Sequence, residues 1–396
     1  MTLSEELSWR GFVNQTTFKD IKELDKAPLT FYWGVDPSAS SMTVGNLAMA
    51  MMVRHFIKHG HKAILLVGGA TGVIGDPDGK AQERNLKSLD EIAKNKAGIV
   101  AQYKQVFAGD DFEIVDNYDW FKDLGYLDFL RTIGKHMSMT QLLDREFVQS
   151  RIGKGGAGIS YAEFSYSLIQ GYDFLHLFRE KDATLQVAGA DQWGNSISGV
   201  ELIRKLEGKE AHVWTGPLVV NKSTGVKFGK SEAGAIWVDP EQTSVFDYYQ
   251  FWLNADDAGV IEYMKIYTFL TKEEIEEFER QTKDNPAARA AQKALAYEAT
   301  KIVHGQEKAD AAVEATAQLF AGGDSELTPV VDVEPGSYSV TELVVKAGLA
   351  ASNSEARRLF EQGGIKLNQQ KVEQAEVTVA PGDLLQVGKR KFVKIA

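Results

Sequence analysis

The sequence contains no cysteine and no apolar run long enough to span a membrane. Without thiols, the chain cannot form disulfides, thiolate zinc sites or a cysteine nucleophile. Residues 1–15 carry two glutamates and one arginine, and they match neither a secretory signal nor a transit peptide. Together these absences predict a soluble cytoplasmic protein that uses no zinc and has no membrane partner.

The composition is that of a globular protein with an uneven charge distribution. The 396 residues are 44% apolar and 25% charged, which is enough material for two or three domains. The net charge is −11, yet residues 338–396 carry nine Lys/Arg against six Asp/Glu. A basic tail on an acidic body is one way in which an acidic protein can hold RNA at a single place.

The first 220 residues have the pattern of βαβ units. Short apolar runs at 30–35 and 63–68 predict buried strands, and residues 44–59 predict a helix that ends at Gly60. A further strand is predicted at 183–188. We therefore predict an α/β fold with a Rossmann-like parallel sheet, in which ligands bind beyond the carboxyl ends of the strands.

A helical region and a mixed tail follow the sheet. Residues 247–320 read as helical, with a capping box at Thr271 and Glu274, a capped start at Asn285-Pro286 and a helix end at Gly305. In the tail we predict helices at 340–347 and 354–362, the second capped by Ser354. Predicted strands lie at residues 365–368, 372–379 and 384–395. The resulting small α+β domain carries cations suited to an RNA backbone: Arg357, Arg358, Lys366, Lys389, Arg390 and Lys391.

These patterns divide the chain into four parts. Residues 1–240 form the nucleotide-binding domain and residues 241–321 the helical domain. An acidic stretch with glycine and proline, residues 322–337, is predicted to be a linker. Residues 338–396 form the RNA-binding tail.

Two lysines stand three residues apart in a glycine-rich segment, Lys227-Phe228-Gly229-Lys230-Ser231. No apolar periodicity in the segment fixes it to a core. Two mobile ammonium groups suit a polyanion whose charge shifts during reaction, such as a triphosphate that loses pyrophosphate. For this segment alone, a solvated basic turn is the plainer interpretation.

A second glycine-rich loop follows the strand predicted at 63–68. It is not a P-loop, because alanine rather than serine or threonine follows Lys80. The loop delivers Asp76, and then Lys80 and Arg84 at helical spacing. One carboxylate and two cations suit a substrate that has an ammonium group beside phosphates.

The remaining polar clusters lie on predicted helices. His55, His59 and His61 have no carboxylate at ligand spacing, so we predict surface histidines and no metal site. Tyr166 and Asp173 lie on one face of a predicted helix at 161–178, with Gln170 between them. Inward-facing polar groups need partners, which either a small polar ligand or another helix could supply.

Taken together, these segments resemble bacterial tyrosyl-tRNA synthetases, which are class I enzymes, over nearly the whole chain. The resemblance also includes Asn117-Tyr118-Asp119-Trp120, Tyr172-Asp173-Phe174-Leu175 and Asp191-Gln192-Trp193-Gly194-Asn195. It implies that the helical domain lies on the anticodon side and that the tail is S4-like. It also implies a tyrosine–tRNA ligase that uses ATP with Mg²⁺, acts on tRNA(Tyr) and forms a homodimer.

The resemblance also assigns site residues. Tyr32 and Asp173 would hydrogen-bond the phenol hydroxyl of L-tyrosine. The other residues implied to bind tyrosine are Tyr166, Asp76 and Gln170 for its ammonium, Gln192 near its carboxylate, and Asn117. The residues implied for ATP are Gly189 and Asp191 at the ribose, Leu218 behind the adenine, Asp36, Gly45 and Lys230. The catalytic set is Lys80, Arg84, Lys227, Lys230, Ser231, Ser38, Thr43 and Asn46, with the first four around the pyrophosphate.

Two positions depart from the family pattern. Thr43-Val44-Gly45-Asn46 stands where the family expects His-x-Gly-His, so neutral donors replace two imidazoles at the start of the first long helix. Trp33 stands where a small residue is usual, in place of one ribose contact. The first departure leaves open a non-catalytic descendant that only binds RNA. The tryptophanyl relative is a nearer alternative, which the polar pair Tyr32 and Asp173 disfavours.

Overall fold

The structure is a computed structural model, and it describes residues 1–77, 86–228, 234–320, 328–388 and 391–396. The chain divides into two compact units. The first comprises Met1–Gly229 and Lys265–Tyr267, and the second comprises Lys230–Met264 and Thr268–Ala396.

The first unit contains a six-stranded sheet. Its strands are Gln15–Thr16 (β1), Thr30–Val35 (β2), Lys62–Val67 (β3), Phe112–Asp116 (β4), Ala183–Gly189 (β5) and His212–Gly216 (β6). The strand order is β1-β6-β5-β2-β3-β4, and every pairing is parallel except that of β1 with β6. The predicted α/β fold with a parallel sheet is confirmed.

Helices cover both faces of this sheet. They are Leu3–Arg10 (α1), Val44–Lys58 (α2), Thr71–Ile74 (α3), Leu89–Val106 (α4), Tyr118–Phe121 (α5), Tyr126–Thr132 (α6), Met139–Leu143 (α7), Glu146–Ile152 (α8), Tyr161–Lys181 (α9) and Trp193–Glu207 (α10). Short 3-10 helices lie at Ile21–Asp25, Gly134–His136 and Ala190–Gln192. Alternation along β2 points Phe31 toward Phe56 of α2 and Tyr32 toward Phe174 of α9, with ring centroids 5.2 and 5.3 Å apart. Trp33 packs in the core, 5.6 Å from the ring of Tyr103.

His55 and His61, at the end of α2, are buried, so their prediction as surface residues was wrong, whereas the side chain of His59 is 26% exposed. His55 is 1% exposed and His61 is 5% exposed, because α1 and the segment before β2 cover this end of the helix. Glu6 of α1 lies 3.2 Å from His55 Nδ1 and 2.7 Å from His59 Nε2. The backbone N–H of Leu29 donates to His61 Nδ1. Sequence spacing alone could not reveal this tertiary cover.

This buried cluster predicts a loss of stability in acid. Burial lowers the pKa of His55 from 6.5 to about 4. Between these values the unfolded chain binds the proton and the folded chain does not, so the free energy of unfolding falls as pH falls from about 6.5 to 4, by up to ~1.4 kcal/mol per pH unit. The His55→Gln variant should lose melting temperature less steeply than the wild type between pH 7 and 5. Parallel curves for the two proteins would rule out His55 as a source of the acid sensitivity.

The second unit begins with helices. They are Val245–Leu253 (α11), Val260–Tyr267 (α12), Lys272–Asp284 (α13), Ala290–His304 (α14) and Gln306–Phe320 (α15), and the last three residues of α12 belong to the first unit. Thr271 and Glu274 form the predicted capping box, and Gly305 ends α14 at φ 87°. Pro286 opens the 3-10 helix Pro286–Ala288 instead of an α-helix. The side chain of Asn285 makes no cap, which corrects the prediction there.

The tail combines two helices with two small sheets. Its helices are Val340–Lys346 (α16) and Asn353–Glu361 (α17). Its strands are Val330–Val331 (β7), Gly336–Ser339 (β8), Ile365–Leu367 (β9), Gln370–Lys371 (β10), Glu376–Val379 (β11), Leu384–Val387 (β12) and Lys391–Ile395 (β13). The larger sheet has the order β10-β9-β12-β13-β7, and β8 pairs with β11. Buried aliphatic side chains from both helices and both sheets form one core.

Three predictions in the tail and one in the stretch before it need correction. Ser352, not Ser354, caps α17 by accepting the N–H of Glu355. The single strand predicted at 384–395 is instead an antiparallel hairpin of β12 and β13. The strand predicted at 372–379 is confined to β11, and the stretch predicted to be a linker contributes β7, which pairs with β13.

Helices suited to crossing a bilayer are absent from the described parts of the chain.

Candidate active site

The polar residues of the first unit meet at the carboxyl ends of its parallel strands. Asp36 follows β2, the glycine-rich segment from Gly68 follows β3, Asn117 follows β4 and Asp191 follows β5. Helix α9 crosses this edge with Tyr166 and Asp173 buried. Parallel strands in register bring their ends together, so residues far apart in sequence form one site.

Asp173 is buried and held by two donors. Asn117 Nδ2 donates to Asp173 Oδ2 at 3.0 Å, and Trp120 Nε1 donates to Oδ1 at 2.9 Å. Burial raises the pKa of Asp173 to about 8, although these two hydrogen bonds act to lower it. The two donors therefore fix the orientation of the carboxyl group. The group can still form a further hydrogen bond with a polar ligand.

Tyr32 lies on the face of the sheet that α9 covers, and its hydroxyl makes no hydrogen bond with a described residue. Its side chain is 2% exposed, and its buried hydroxyl has no hydrogen-bond partner among the described residues. Burial, followed by the charge of Asp173, holds the pKa of Tyr32 well above its ordinary value. Its strand neighbour Gln186 also has a buried side-chain oxygen without a described partner. Buried polar atoms rarely stay unpaired, so these two atoms point to a ligand.

A chain of hydrogen bonds links Asp173 to Asp36. Asn117 Nδ2 donates to Thr71 Oγ1 at 3.0 Å, and Thr71 Oγ1 donates to Asp36 Oδ1 at 2.6 Å. Tyr166 Oη donates to Asp36 Oδ2 at 2.7 Å. Burial, followed by the charges of Asp36 and Asp76, holds the pKa of Tyr166 well above its ordinary value. The network fixes the predicted tyrosine-binding and ATP-binding residues relative to one another.

Asp76 and Gln192 meet directly. Gln192 Nε2 donates to Asp76 Oδ2 at 2.6 Å, and Asn195 Nδ2 donates to Gln192 Oε1 at 3.2 Å. Gln170 is half-buried on α9, and its side-chain amide makes no hydrogen bond with a described residue. Its amide is therefore available at the position where the resemblance puts the ammonium group of the substrate.

The residues predicted for the nucleotide surround the end of β5. Gly189 is buried, and a Cβ on it would lie 2.7 Å from Asp191 Oδ1 and 3.6 Å from Leu218 Cδ2. Asp191 is exposed, as is Ser38, whose N–H donates to the Asp36 carbonyl. A buried glycine flanked by a carboxylate and an apolar side chain allows a ribose and a base to approach the backbone closely.

Thr43 and Asn46 are bound to each other at the start of α2. The N–H and the hydroxyl of Thr43 both donate to Asn46 Oδ1, at 3.0 and 3.1 Å. The pair therefore closes the first turn of the helix, where the family's imidazoles would stand. The remaining N–H groups of this turn still give the helix start a positive potential.

Lys227 stands on a hairpin that rests on the start of α2. The N–H of Phe228 donates to the Val219 carbonyl, and Lys227 pairs with Val220. A Cβ on Gly45 would lie 2.8 Å from the Phe228 carbonyl oxygen, so only glycine permits this approach. The side chain of Lys227 is exposed. The described part of the segment is thus a β-hairpin, and it brings a lysine to the mouth of the site.

Several predicted residues cannot be placed. Lys80, Arg84, Lys230, Ser231, Lys389 and Arg390 lie outside the described residues. Of the other predicted RNA contacts, Arg357, Arg358 and Lys366 are exposed, and Lys391 begins β13. Within the described ranges, no group of three or more His, Asp or Glu side chains is arranged to hold a metal ion.

The sequence reasoning missed Thr71, Trp120 and Gln186. Trp120 lies in a segment that carried the resemblance, so its indole could have been identified as a donor. Gln186 interrupts the apolar pattern of β5, and a polar residue in a buried parallel strand is itself a signal. Nothing local to Thr71 indicates that it bridges Asn117 and Asp36, because all three come from different strand ends.

Removing the indole donor should weaken recognition of the substrate. Trp120→Phe keeps an aromatic ring against His176, whose ring stacks on Trp120 at 4.4 Å, but leaves Asp173 Oδ1 without its donor. We expect kcat/KM for tyrosine to fall roughly 10-fold, the effect of losing one buried hydrogen bond. The same fold-change for phenylalanine would mean that the indole acts through packing alone.

Comparison with known proteins identifies the family. The family described as tRNA synthetases class I (W and Y) matches residues 24–321, and the tyrosine–tRNA ligase SYY-like C-terminal domain matches residues 321–393. The first match spans the parallel strands, so the fold is that of a class I tRNA synthetase.

Individual relatives show to which family within this class the chain belongs. The tyrosine–tRNA ligase of Bacillus caldotenax is 44% identical over 391 residues, covering 94% of this chain and 92% of the relative. That of Limosilactobacillus reuteri is 40% identical over 396 residues, covering 96% and 94%. The crystal structure of a C-terminally truncated Aspergillus nidulans mitochondrial tyrosyl-tRNA synthetase superposes with a TM-score of 0.73 at 29% identity, covering 80% of this chain and 94% of that one. The chain belongs to the tyrosine–tRNA ligase family.

Proposed function

We infer that the chain activates L-tyrosine with ATP to give tyrosyl-adenylate and pyrophosphate, and then transfers tyrosine to the 3′ end of tRNA(Tyr). The observation that carries the inference is the pair of buried polar groups, Tyr32 and Asp173, among the residues proposed to bind the substrates. Together they offer a hydrogen-bond donor and acceptor where an amino-acid side chain would enter.

Tyrosine satisfies this pocket and phenylalanine does not. The phenol hydroxyl can exchange hydrogen bonds with both Asp173 and the unused hydroxyl of Tyr32. Phenylalanine would leave the buried Tyr32 hydroxyl unpaired and would make no hydrogen bond with Asp173, and tyrosine-specific synthetases are the standard example of discrimination by this effect. The tryptophan branch of the same class is disfavoured, because an indole has one N–H donor and no acceptor.

The activation step needs placement and positive charge. The tyrosine carboxylate is already an anion, so its attack on the α-phosphorus requires no strong base. Gly189, Asp191 and Leu218 are proposed to hold the nucleoside, and Asp76, Tyr166 and Gln170 to hold the tyrosine ammonium. Lys227, together with the N–H groups at the start of α2, is proposed to stabilise charge on the phosphates.

Magnesium fits as a companion of ATP. The carboxylates of Asp36 and Asp76 already accept hydrogen bonds from side chains, while the triphosphate supplies the hard oxygen ligands that Mg²⁺ prefers. When bound, the ion would offset phosphate charge.

We also propose a contact with tRNA, a homodimer and a cellular location. Arg357, Arg358 and Lys366 are exposed cations of the tail, and we propose that they contact the tRNA backbone. A homodimer would bury apolar residues of α6 to α9 that are 47–77% exposed in one chain: Tyr126, Leu127, Met139, Ile152 and Tyr161. We place the enzyme in the cytoplasm, with its tRNA substrate.

ATP–pyrophosphate exchange tests the function directly. The purified chain should exchange label in the presence of tyrosine, and should then charge tRNA(Tyr). Exchange at background level would support the non-catalytic alternative, which no contact among the described residues favours. Exchange with tryptophan but not tyrosine would show that the pocket is wrongly assigned.

A further inference from the structure

Helix α4 lies outside the proposed site, yet one of its faces holds the loop at residues 37–42. This loop connects Asp36 to the first turn of α2. The residues concerned are Asn95, Gly98 and Gln102, which lie on one side of the helix because they are spaced three and four residues apart.

Gln102 makes the central contacts. Its side chain is 5% exposed, its Oε1 accepts the Met42 N–H at 2.6 Å, and its Nε2 donates to Ser41 Oγ at 2.9 Å. Ser41 Oγ in turn donates to the Met42 carbonyl at 2.8 Å. One buried amide therefore fixes the last two residues before Thr43.

Asn95 and Gly98 hold the earlier part of the same loop. Asn95, also 5% exposed, donates through Nδ2 to the Pro37 carbonyl at 3.1 Å. A Cβ on Gly98 would overlap the Ser40 carbonyl oxygen, so the helix backbone and the loop are in direct contact. The loop is thus fixed at its beginning, middle and end from a single helix.

We propose that Asn95, Gly98 and Gln102 are positioning residues for ATP. They touch no substrate, but they set where the first turn of α2 stands, and that turn faces the phosphates in the proposed function on which this inference rests. A hydrophobic contact could also have anchored the loop. Directional hydrogen bonds to its backbone instead define the position of each residue, which catalysis by placement requires.

The test is the Gln102→Met variant, which keeps the size of the side chain and removes both hydrogen bonds. We expect KM for ATP in the exchange reaction to rise about 10-fold, because a buried N–H loses its partner. The dissociation constant for tyrosine, measured without ATP, should change less than twofold. Asn95→Ala, which removes a single bond, should show a smaller rise in the same direction.

Tyr103→Phe is the matched control. It lies next to Gln102 on α4 and loses a buried hydrogen bond of 2.9 Å to the Leu66 carbonyl, on the strand side rather than the loop side. We expect it to lower the melting temperature as much as Gln102→Met while leaving KM for ATP unchanged.

The outcomes separate this inference from the proposed function. Wild-type protein without tyrosine-dependent exchange would overturn the function itself. An active wild type whose Gln102→Met and Asn95→Ala variants keep a normal KM for ATP would overturn the positioning role alone. An equal rise in KM for ATP in the Tyr103→Phe control would also overturn the positioning role. The effect would then follow from lower stability rather than from the position of the loop.

Discussion

Replacing Asp173 with asparagine is expected to lower kcat/KM for tyrosine by about 100- to 1,000-fold, or about 3 to 4 kcal/mol. Asn117 and Trp120 both donate to Asp173, one to each oxygen. An asparagine has one acceptor oxygen, so its NH₂ group would face one of these donors. The substrate hydroxyl would then meet a displaced side chain. Activity with phenylalanine, which makes no such hydrogen bond, should fall much less.

The same variant should not lose stability at high pH. The folded-state pKa of Asp173, about 8, lies above its ordinary value of 3.8. The folded protein therefore binds more protons between these values, and ionisation of Asp173 opposes folding as pH rises from 4 to 8. Asparagine removes that cost, so the melting temperature of the variant at pH 8 should equal or exceed that of the wild type. A large drop there would attribute the lost activity to misfolding.

Replacing Lys227 with alanine is expected to slow ATP–pyrophosphate exchange by about 100-fold, the usual effect of removing one group that stabilises transition-state charge. Lys227 is exposed on a hairpin that touches Gly45 at the start of α2. Since the neutral pair Thr43 and Asn46 carries no charge, cations from elsewhere must balance the phosphates. Equilibrium binding of tyrosine should be unchanged, because the tyrosine pocket lies on α9 and β2.

Lys222→Ala is the control for this prediction. Lys222 is exposed at the turn of the same hairpin, five residues away in sequence. Its removal changes the net charge of the hairpin equally and should leave exchange within about twofold, since exposed charges at a distance are screened. Equal losses for both variants, or a matching loss of tyrosine affinity in Lys227→Ala, would contradict a specific role at the phosphates.

Much of the fold could be predicted because local sequence patterns match its helices and strands. The bounds of strand β2 and helix α2 were predicted almost to the residue, since the apolar pattern and the glycine after the helix indicate the same bounds. The cap of α17 was also within reach of the sequence, because Ser352 has Glu355 three residues on, whereas Ser354 has Arg357. The hairpin of β12 and β13 was missed because Gly388, at φ 64°, makes a turn that the apolar pattern conceals.

The site could be predicted only in part. Strand ends at one edge of a parallel sheet place Asp36, Asn117 and Asp191 together, and the resemblance adds roles for them. The bonds themselves, such as that from Asn117 to Thr71, depend on the register between strands, which the sequence does not encode locally. The buried His55 was misread for the same reason, since the helix that covers it lies some 50 positions earlier.

The most direct test of the account is the ratio of exchange rates with tyrosine and with phenylalanine as the amino acid, measured for the wild type under identical conditions. The pocket formed by Tyr32 and Asp173 predicts that kcat/KM for tyrosine exceeds that for phenylalanine by at least about 1,000-fold, because phenylalanine leaves the buried Tyr32 hydroxyl unpaired and makes no hydrogen bond with Asp173. A ratio below about 10 would contradict the claim that these residues recognise the phenol hydroxyl.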